Sequence, residues 1–215
     1  MIGLVLAGGL SSRFGSDKSC AALPGEQDLL SRTVRLLAAL PGVERVAVSC
    51  RYGQADVMQK RLASLCASGL LEYVPEVIED SADGLPPTPL KGLAAALQRL
   101  GDALVVLPCD FPLLEPRHLW PLLEARNARK VEGLPLLRTA YRHEDGRIDA
   151  LAAVYEAEAL PLLEAALAEQ RFSLYRAIPA ESQVLVPCPD KDAFLNMNTQ
   201  DDYALASQRL RCRSA

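Results

Sequence analysis

A glycine-rich stretch directly behind an apolar run constrains the fold of this chain most. Residues 2–7 are apolar and lead at once into Gly8 and Gly9, and the cations Arg13 and Lys18 follow. A short continuous apolar run predicts a buried parallel strand, and glycines at its end predict a loop whose N–H groups can cradle an anion. Open α/β sheets bind ligands at such strand ends. We expect an anion site here, and a tight strand-to-helix turn with solvated charges is the alternative.

The spacing of the glycines excludes two well-known phosphate loops. The P-loop pattern requires lysine after its second glycine, but Gly15 is followed by Ser16. The dinucleotide fingerprint requires one residue between its first two glycines, whereas Gly8 and Gly9 are adjacent. A ligand at this loop is therefore bound neither by a P-loop nor by a dinucleotide-binding fingerprint.

Length and composition narrow the function classes. With 215 residues, 50% of them hydrophobic, the chain can bury one sizeable core, so we expect a single domain over residues 1–215. No apolar run reaches the roughly 18 residues that a membrane span needs, and no signal peptide is visible, so we expect a cytoplasmic protein. The net charge of −4 argues against general binding to nucleic acid or anionic membranes. Six cysteines without a C-x-x-C pair predict free thiols rather than a zinc or iron–sulfur site.

Apolar segments alternate with amphipathic ones in the first half of the chain, which predicts an α/β fold with a largely parallel sheet. The predicted strands cover 2–7, 45–50, 71–78 and 103–107. The predicted helices cover 29–40, behind a cap at Asp28, then 57–65, ending near Gly69, and 91–100, closed by Gly101.

The last third predicts an antiparallel element. Strands at 131–137 and 147–155 flank the turn Glu144-Asp145-Gly146. Helices at 156–170 and 173–178 and a strand at 183–186 follow, and Thr199 with Asp202 predicts a capping box for a terminal helix.

Two polar segments follow predicted strands and are candidates for the site. Residues 79–89 are rich in turn residues and carboxylates, and they would form a second wall of the ligand crevice. Asp110 follows the strand at 103–107. A carboxylate at the end of a central parallel strand, together with nucleotide phosphates, is a usual way to hold Mg²⁺. A turn or a helix cap is the alternative for Asp110.

Together these segments resemble the molybdenum cofactor guanylyltransferases, which transfer GMP from GTP to molybdopterin and release pyrophosphate. The resemblance covers nearly the whole chain and implies a three-layer, Rossmann-like nucleotidyltransferase fold. It rests on Leu6-Ala7-Gly8-Gly9 with Arg13, Gly15, Asp17 and Lys18, on Val77-Ile78-Glu79-Asp80 with Pro89-Leu90 and Gly92-Leu93, on Cys109-Asp110-Phe111-Pro112, and on 192–199 with its Asn196-Met197-Asn198.

The resemblance implies a role for each of these residues. Asp110 would hold Mg²⁺, and Arg13 and Lys18 would bind the triphosphate, so that these three are the catalytic residues. The nucleotide would be bound by Leu6, Ala7, Gly8, Gly9, Lys18, Ser49, Asp80 and Asp110, and molybdopterin by Asn196, Asn198 and Arg171. GTP and molybdopterin are the implied substrates, and cofactor-delivery proteins or molybdoenzymes are the implied partners.

The chain departs from the family pattern at several positions. Ser49 stands where family members often carry asparagine, Lys91 adds a cation to the Pro89–Gly92 segment, and Asp149-Ala150 replaces a His-Pro or Gln-Pro pair. His118 and His143 lie in polar surroundings, which predicts solvated side chains. The alternatives are a cytidylyltransferase that makes the cytosine analogue, another small-molecule nucleotidyltransferase of this fold, and an inactive nucleotide-binding accessory protein.

Overall fold

The structure of the protein is a computed structural model that describes residues 1–8, 23 and 28–213. Within them a seven-stranded sheet has the order β3-β2-β1-β4-β6-β5-β7. Strands β1 to β4 are parallel where they pair, β7 is parallel to β5, and β6 runs antiparallel to both of its neighbours. The predicted mixed sheet is confirmed. The strands are β1 (Ile2–Leu6), β2 (Val46–Cys50), β3 (Glu76–Glu79), β4 (Leu104–Pro108), β5 (Arg138–Arg142), β6 (Ile148–Tyr155) and β7 (Gln183–Pro187).

Helices cover both faces of the sheet, which confirms the three layers. The helices are α1 (Leu29–Ala38), α2 (Ala55–Ala67), α3 (Pro89–Leu100), α4 (Trp120–Val131), α5 (Leu160–Ala168), α6 (Leu174–Ala177) and α7 (Gln200–Arg213). Buried side chains of α1, α2 and α4 form one hydrophobic cluster with the sheet. Those of α3, α5 and α6 form a second cluster on the opposite face.

Strand β4 shows why its sequence is a continuous apolar run. Leu104 and Val106 belong to the cluster beneath α3, whereas Val105 and Leu107 belong to the cluster beneath α1. All four side chains are at most 1% exposed. Because successive side chains of a strand point to opposite faces, a strand covered on both sides needs apolar residues at every position.

The predicted helix caps are present. Asp28 accepts a hydrogen bond from the Ser31 N–H at 2.7 Å at the start of α1. Helix α3 ends at Gly101, whose φ of 63° is a left-handed conformation that glycine adopts without strain. At α7, the Asp202 N–H donates to Thr199 at 3.1 Å and the Thr199 N–H donates to Asp202 at 2.8 Å. This reciprocal pair is the predicted capping box.

Two predicted strands are wrong in their bounds. The strand predicted over 71–78 begins only at Glu76, behind Pro75, which has no N–H to give to a sheet. The strand predicted over 131–137 lies instead at Arg138–Arg142, and Val131 is the last residue of α4. The sequence pattern is misleading because Arg138 is fully buried, where its guanidinium donates to Gln183 and to the Leu174 carbonyl.

In the described part of the chain, no helix combines the length and the apolar character that a membrane crossing requires.

Helix α3 approaches the end of β2 very closely at Gly92. A Cβ atom on Gly92 would lie 2.6 Å from Oγ of Ser49, a separation that real structures do not show, and 3.5 Å from Leu6. Ser49 is itself only 3% exposed. The glycine therefore allows the first turn of α3 to rest on the hydroxyl of Ser49.

We expect Gly92→Ala to lower the free energy of unfolding by about 1–3 kcal/mol, because the added methyl group overpacks this contact. The loss should occur although alanine is the better helix former by about 1 kcal/mol. Urea unfolding measures the change. Ser49→Ala serves as the control, and the Ser49→Ala/Gly92→Ala double variant should recover most of the stability. Equal losses in the single Gly92→Ala and the double variant would contradict this packing.

Candidate functional site

The sheet order places a ligand crevice at the carboxyl end of β1. Strand β1 lies between β2 and β4, and the chain builds β2 and β3 on one side before it returns to add β4 on the other. Leu6, at the end of β1, pairs with Ser49 of β2 and with Pro108 of β4. Three strands therefore end at the same level, and open α/β sheets bind ligands at such a change of direction.

Most of the described residues with a predicted role lie at this edge. They are Leu6, Ala7, Gly8, Ser49, Asp80 and Asp110, each at or just beyond a strand end. Gly9, Arg13 and Lys18 lie outside the described residues. Arg171 does not join the group through any contact that the structure gives: its side chain pairs with Glu169 at 2.7 Å, and its N–H donates to the Ala166 carbonyl.

The two halves of the predicted site meet at Asp110. The Met197 N–H donates to the carbonyl oxygen of Asp110 at 2.9 Å, so Asn196 and Asn198 flank a residue bonded directly to the carboxylate loop. The ring of Phe194 packs edge-on against Phe111, with 5.8 Å between centroids. Oδ1 of Asp110 is buried. The motif at 192–199 thus packs directly against the segment at 110–111.

Glu79 and Asp80 hold the turn that follows β2. Oδ1 of Asp80 accepts a hydrogen bond from the Tyr52 N–H at 2.8 Å. Oε1 of Glu79 accepts from the N–H groups of Gln54 and Ala55 at 2.8 and 2.9 Å. Glu79 therefore supplies the carboxylate cap of α2, whose own N-cap Gln54 makes no side-chain cap hydrogen bond.

A cavity of about 390 Å³ opens beside this turn. It is lined by residues of the turn at 51–54, by Asp80 and the loop that follows it, and by Lys91. The volume lies in the range of small-molecule sites. The prediction that the polar segment 79–89 forms a second wall is consistent with this cavity.

Lys91 holds the loop wall of the cavity. Its side chain is only 4% exposed, and Nζ donates to Oδ1 of Asp83 at 2.6 Å and to the carbonyls of Ser81 and Leu85 at 3.0 and 3.4 Å. The extra cation thus lies beside the site as expected, but its charge is satisfied by the loop. Hydrogen bonds from Lys91 and then Ser81 hold the pKa of Asp83 well below its usual range, so the ion pair is complete at neutral pH.

The described cysteines are free thiols, and they are Cys50, Cys66, Cys109, Cys188 and Cys212. Burial, with the carboxylates of Glu79 and Asp80, raises the pKa of Cys50 to about 11, so this thiol is not a nucleophile at neutral pH. Within residues 1–8, 23 and 28–213, no group of three or more His, Cys, Asp or Glu side chains could hold a metal ion.

The prediction that His118 and His143 are solvated is wrong. Nδ1 of His118 accepts a hydrogen bond from the Glu115 N–H at 3.0 Å, and Nε2 of His143 lies 3.4 Å from Oδ2 of Asp149. Both histidines are buried, and the ring of His143 packs edge-on against Phe194. The sequence does not reveal the burial of His143 because Phe194 reaches it only through the tertiary fold.

Comparison with known proteins assigns the family. A sequence model described as the MobA-like NTP transferase domain matches residues 3–184. The chain belongs to this family. It is therefore a nucleotidyltransferase of the MobA-like class.

Relatives of this NTP transferase match it over nearly its full length. A Thermococcus gammatolerans protein named as a molybdenum cofactor guanylyltransferase is 29% identical over 208 residues, covering 94% of this chain and 96% of the relative. The crystal structure of molybdopterin-guanine dinucleotide biosynthesis protein A from Archaeoglobus fulgidus has a TM-score of 0.72 at 23% identity and covers 100% of both chains. A 4-diphosphocytidyl-2C-methyl-D-erythritol synthase from Anaerococcus prevotii has a TM-score of 0.63 at 13% identity, covering 97% of this chain and 95% of the other. The two structures show a shared fold.

Among the residues that line the cavity of this NTP transferase, those within 79–89 and Lys91 have a predicted place at the site, whereas Arg51, Tyr52 and Gln54 do not. The sequence predicts no role for Arg51 and Tyr52 because they follow β2 without a motif of their own. The paired carboxylates Glu79-Asp80 were the available signal, since two consecutive carboxylates behind a strand need N–H partners, and the turn after β2 supplies them.

We expect Lys91→Met to loosen the loop wall, because it removes the donor shared by Asp83 and two carbonyl oxygens. Hydrogen exchange of the amides at 81–87 should become faster, and nucleoside triphosphate affinity should fall about tenfold, or about 1.4 kcal/mol. Lys60→Met, an exposed change on α2, is the matched control. Unchanged exchange at 81–87 would rule out this role for Lys91.

Proposed function

We propose that this nucleotidyltransferase transfers GMP from GTP to molybdopterin and releases pyrophosphate. The contact between the Met197 N–H and the Asp110 carbonyl carries the proposal, because it joins the predicted nucleotide side and the predicted pterin side in one crevice. The full-length similarity to the Thermococcus gammatolerans protein supports the same substrates.

The reaction requires positioning and charge neutralisation rather than a covalent nucleophile. A phosphate oxygen of molybdopterin attacks the α-phosphorus of GTP, one P–O bond forms, and the bond to the β-phosphate oxygen breaks. Two anionic groups must approach each other in line, so fixed cations and N–H groups lower the barrier. Arg13 and Lys18 are the proposed cations, and Leu6, Ala7, Gly8 and Gly9 are the proposed backbone contacts.

Asp110 fits the part of a Mg²⁺ ligand. Asp110 follows β4 at the edge of the sheet where β1 and β2 also end, and carboxylate oxygen is a ligand that Mg²⁺ prefers. Since no cluster of three ligating side chains exists in the described ranges, nucleotide phosphates would complete the coordination, which is common for this ion. The bound ion would neutralise phosphate charge.

The pterin side is assigned to the amides of Asn196 and Asn198, which can pair with donors and acceptors at the edge of a heterocycle. Arg171 stays a prediction, and its position beside Glu169 gives it no further support. Delivery of the product to carrier proteins or molybdoenzymes, and a cytoplasmic location, belong to the same proposal.

The decisive assay incubates the protein with molybdopterin, Mg²⁺ and each of GTP, CTP and ATP, and measures pyrophosphate and dinucleotide product. We expect product with GTP. Product mainly with CTP would keep the mechanism and change the base to cytosine. No product from folded protein would favour another acceptor or a nucleotide-binding accessory role.

We expect Asp110→Asn to lower the turnover number at least about a hundredfold, equivalent to about 2.7 kcal/mol, because it removes the charge that would hold Mg²⁺. The amide keeps the shape of the side chain, and thermal unfolding checks that the fold survives. Asp56→Asn, an exposed change in the first turn of α2, is the control. Turnover at the unaltered rate in Asp110→Asn would remove Asp110 from the metal site.

A further inference from the structure

We propose that Arg51 and Tyr52 form the base-recognition element of the nucleotide site, in which Arg51 donates hydrogen bonds to the acceptor edge of guanine. The identity of the nucleotide rests on the proposed function. The position of the element rests on the cavity, the turn after β2 and the packing of Arg51.

Arg51 connects the glycine loop with the cavity. It lines the cavity together with Tyr52 and Asp80. A Cβ atom on Gly8 would lie 3.0 Å from Cγ of Arg51 and 3.3 Å from its backbone nitrogen. The stem of the arginine therefore packs directly on the loop that the nucleotide is proposed to contact.

The guanidinium of Arg51 is incompletely satisfied by the protein. Its Nε atom is buried, and within the structure as described no acceptor lies within hydrogen-bond distance of it. A buried N–H group without an acceptor is unfavourable, and a shift of the side chain towards an acceptor of a ligand in the cavity recovers that cost.

The backbone of the element is rigid. Asp80 accepts from the Tyr52 N–H at 2.8 Å, the Gln54 N–H donates to the Arg51 carbonyl at 3.1 Å, and Gly53 takes a φ of 80° that closes the turn. The ring of Tyr52 nevertheless stays 63% exposed. An exposed aromatic ring at a cavity offers a face on which a base can stack.

Ser49 does not compete for this role. The family resemblance implies a nucleotide contact of β2 at Ser49, but its hydroxyl packs beneath Gly92 and the residue is only 3% exposed. The side chains that reach the cavity from this strand end belong to the residues that follow it.

The donor and acceptor pattern favours guanine. A guanidinium only donates hydrogen bonds and a carboxylate only accepts them. Guanine presents the acceptors O6 and N7 on one edge and the donors N1–H and N2 amino on the other, whereas adenine carries a donor in place of O6. A cavity that offers both Arg51 and Asp80 therefore matches guanine better than adenine.

The test measures equilibrium binding of GTP, ATP and 7-deaza-GTP by calorimetry, without molybdopterin. We expect Arg51→Ala to weaken GTP binding about tenfold or more and to lower the preference for GTP over ATP by a similar factor. 7-Deaza-GTP lacks the N7 acceptor, so it should bind the unaltered protein more weakly than GTP does. The Arg51→Ala variant should bind 7-deaza-GTP and GTP with equal affinity. Arg51→Lys should not restore the preference, because it lacks the planar fork of donors.

Matched variants separate stacking and general charge from base reading. Tyr52→Ala should weaken the binding of all bases alike, and Tyr52→Phe should bind as the unaltered protein does. Arg45→Ala removes an exposed arginine at the other end of β2, where it pairs with Glu76, and should change nothing.

Several outcomes overturn the proposal. An unchanged preference for GTP over ATP in Arg51→Ala would do so, and so would equal affinity of the unaltered protein for GTP and 7-deaza-GTP. The unaltered protein could bind GTP selectively, lose that selectivity in Arg51→Ala, and yet form no dinucleotide product in the full assay. That outcome would overturn molybdopterin as the acceptor and leave the base-recognition element standing. Product formed with a base preference independent of Arg51 would overturn the element alone.

Discussion

The parallel pairing of β1 with both β2 and β4 is the constraint on which the site depends. It brings the ends of three strands to one level, and it opens a crevice because the chain adds β2 and β3 on one side of β1 before it adds β4 on the other. The hydrophobic residues on both faces of β4 stabilise this arrangement, so that a polar ligand site can exist at an edge whose strands are otherwise buried.

Charged side chains hold the loops at that edge of the sheet through hydrogen bonds. Glu79 and Asp80 accept hydrogen bonds from N–H groups of the turn after β2. Buried Lys91 donates hydrogen bonds to an aspartate and two carbonyl oxygens of the loop after β3. Burying an ammonium group is costly unless it is paired and hydrogen-bonded, and the loop supplies both the charge and the hydrogen bonds. The walls of the cavity are thereby ordered before a ligand arrives, which lowers the entropy cost of binding.

Local sequence predicted correctly those helix ends at which a residue pattern is compatible with only one structure. Asp28, Gly101 and the Thr199–Asp202 box mark their helix ends correctly because capping is a contact between near neighbours. It failed at Arg138 and at the histidines, where charged or polar residues are buried by partners distant in the chain. Arg51 and Tyr52 have no motif of their own, and only the paired carboxylates Glu79-Asp80 point to the turn that holds them.

The sequence by itself determined the α/β class, the glycine loop behind β1, the carboxylate behind β4 and the resemblance to a nucleotidyltransferase family. These follow from short-range features: apolar period, turn residues and motif spacing. Only the tertiary structure decided that Asp110 is bonded to the segment at 196–198, that Lys91 folds the loop, and that Ser49 faces Gly92 rather than the cavity. The physical reason is that the Asp110 and Ser49 contacts join segments far apart in the chain, and that the packing of α3 against the sheet sets which side chains turn inward.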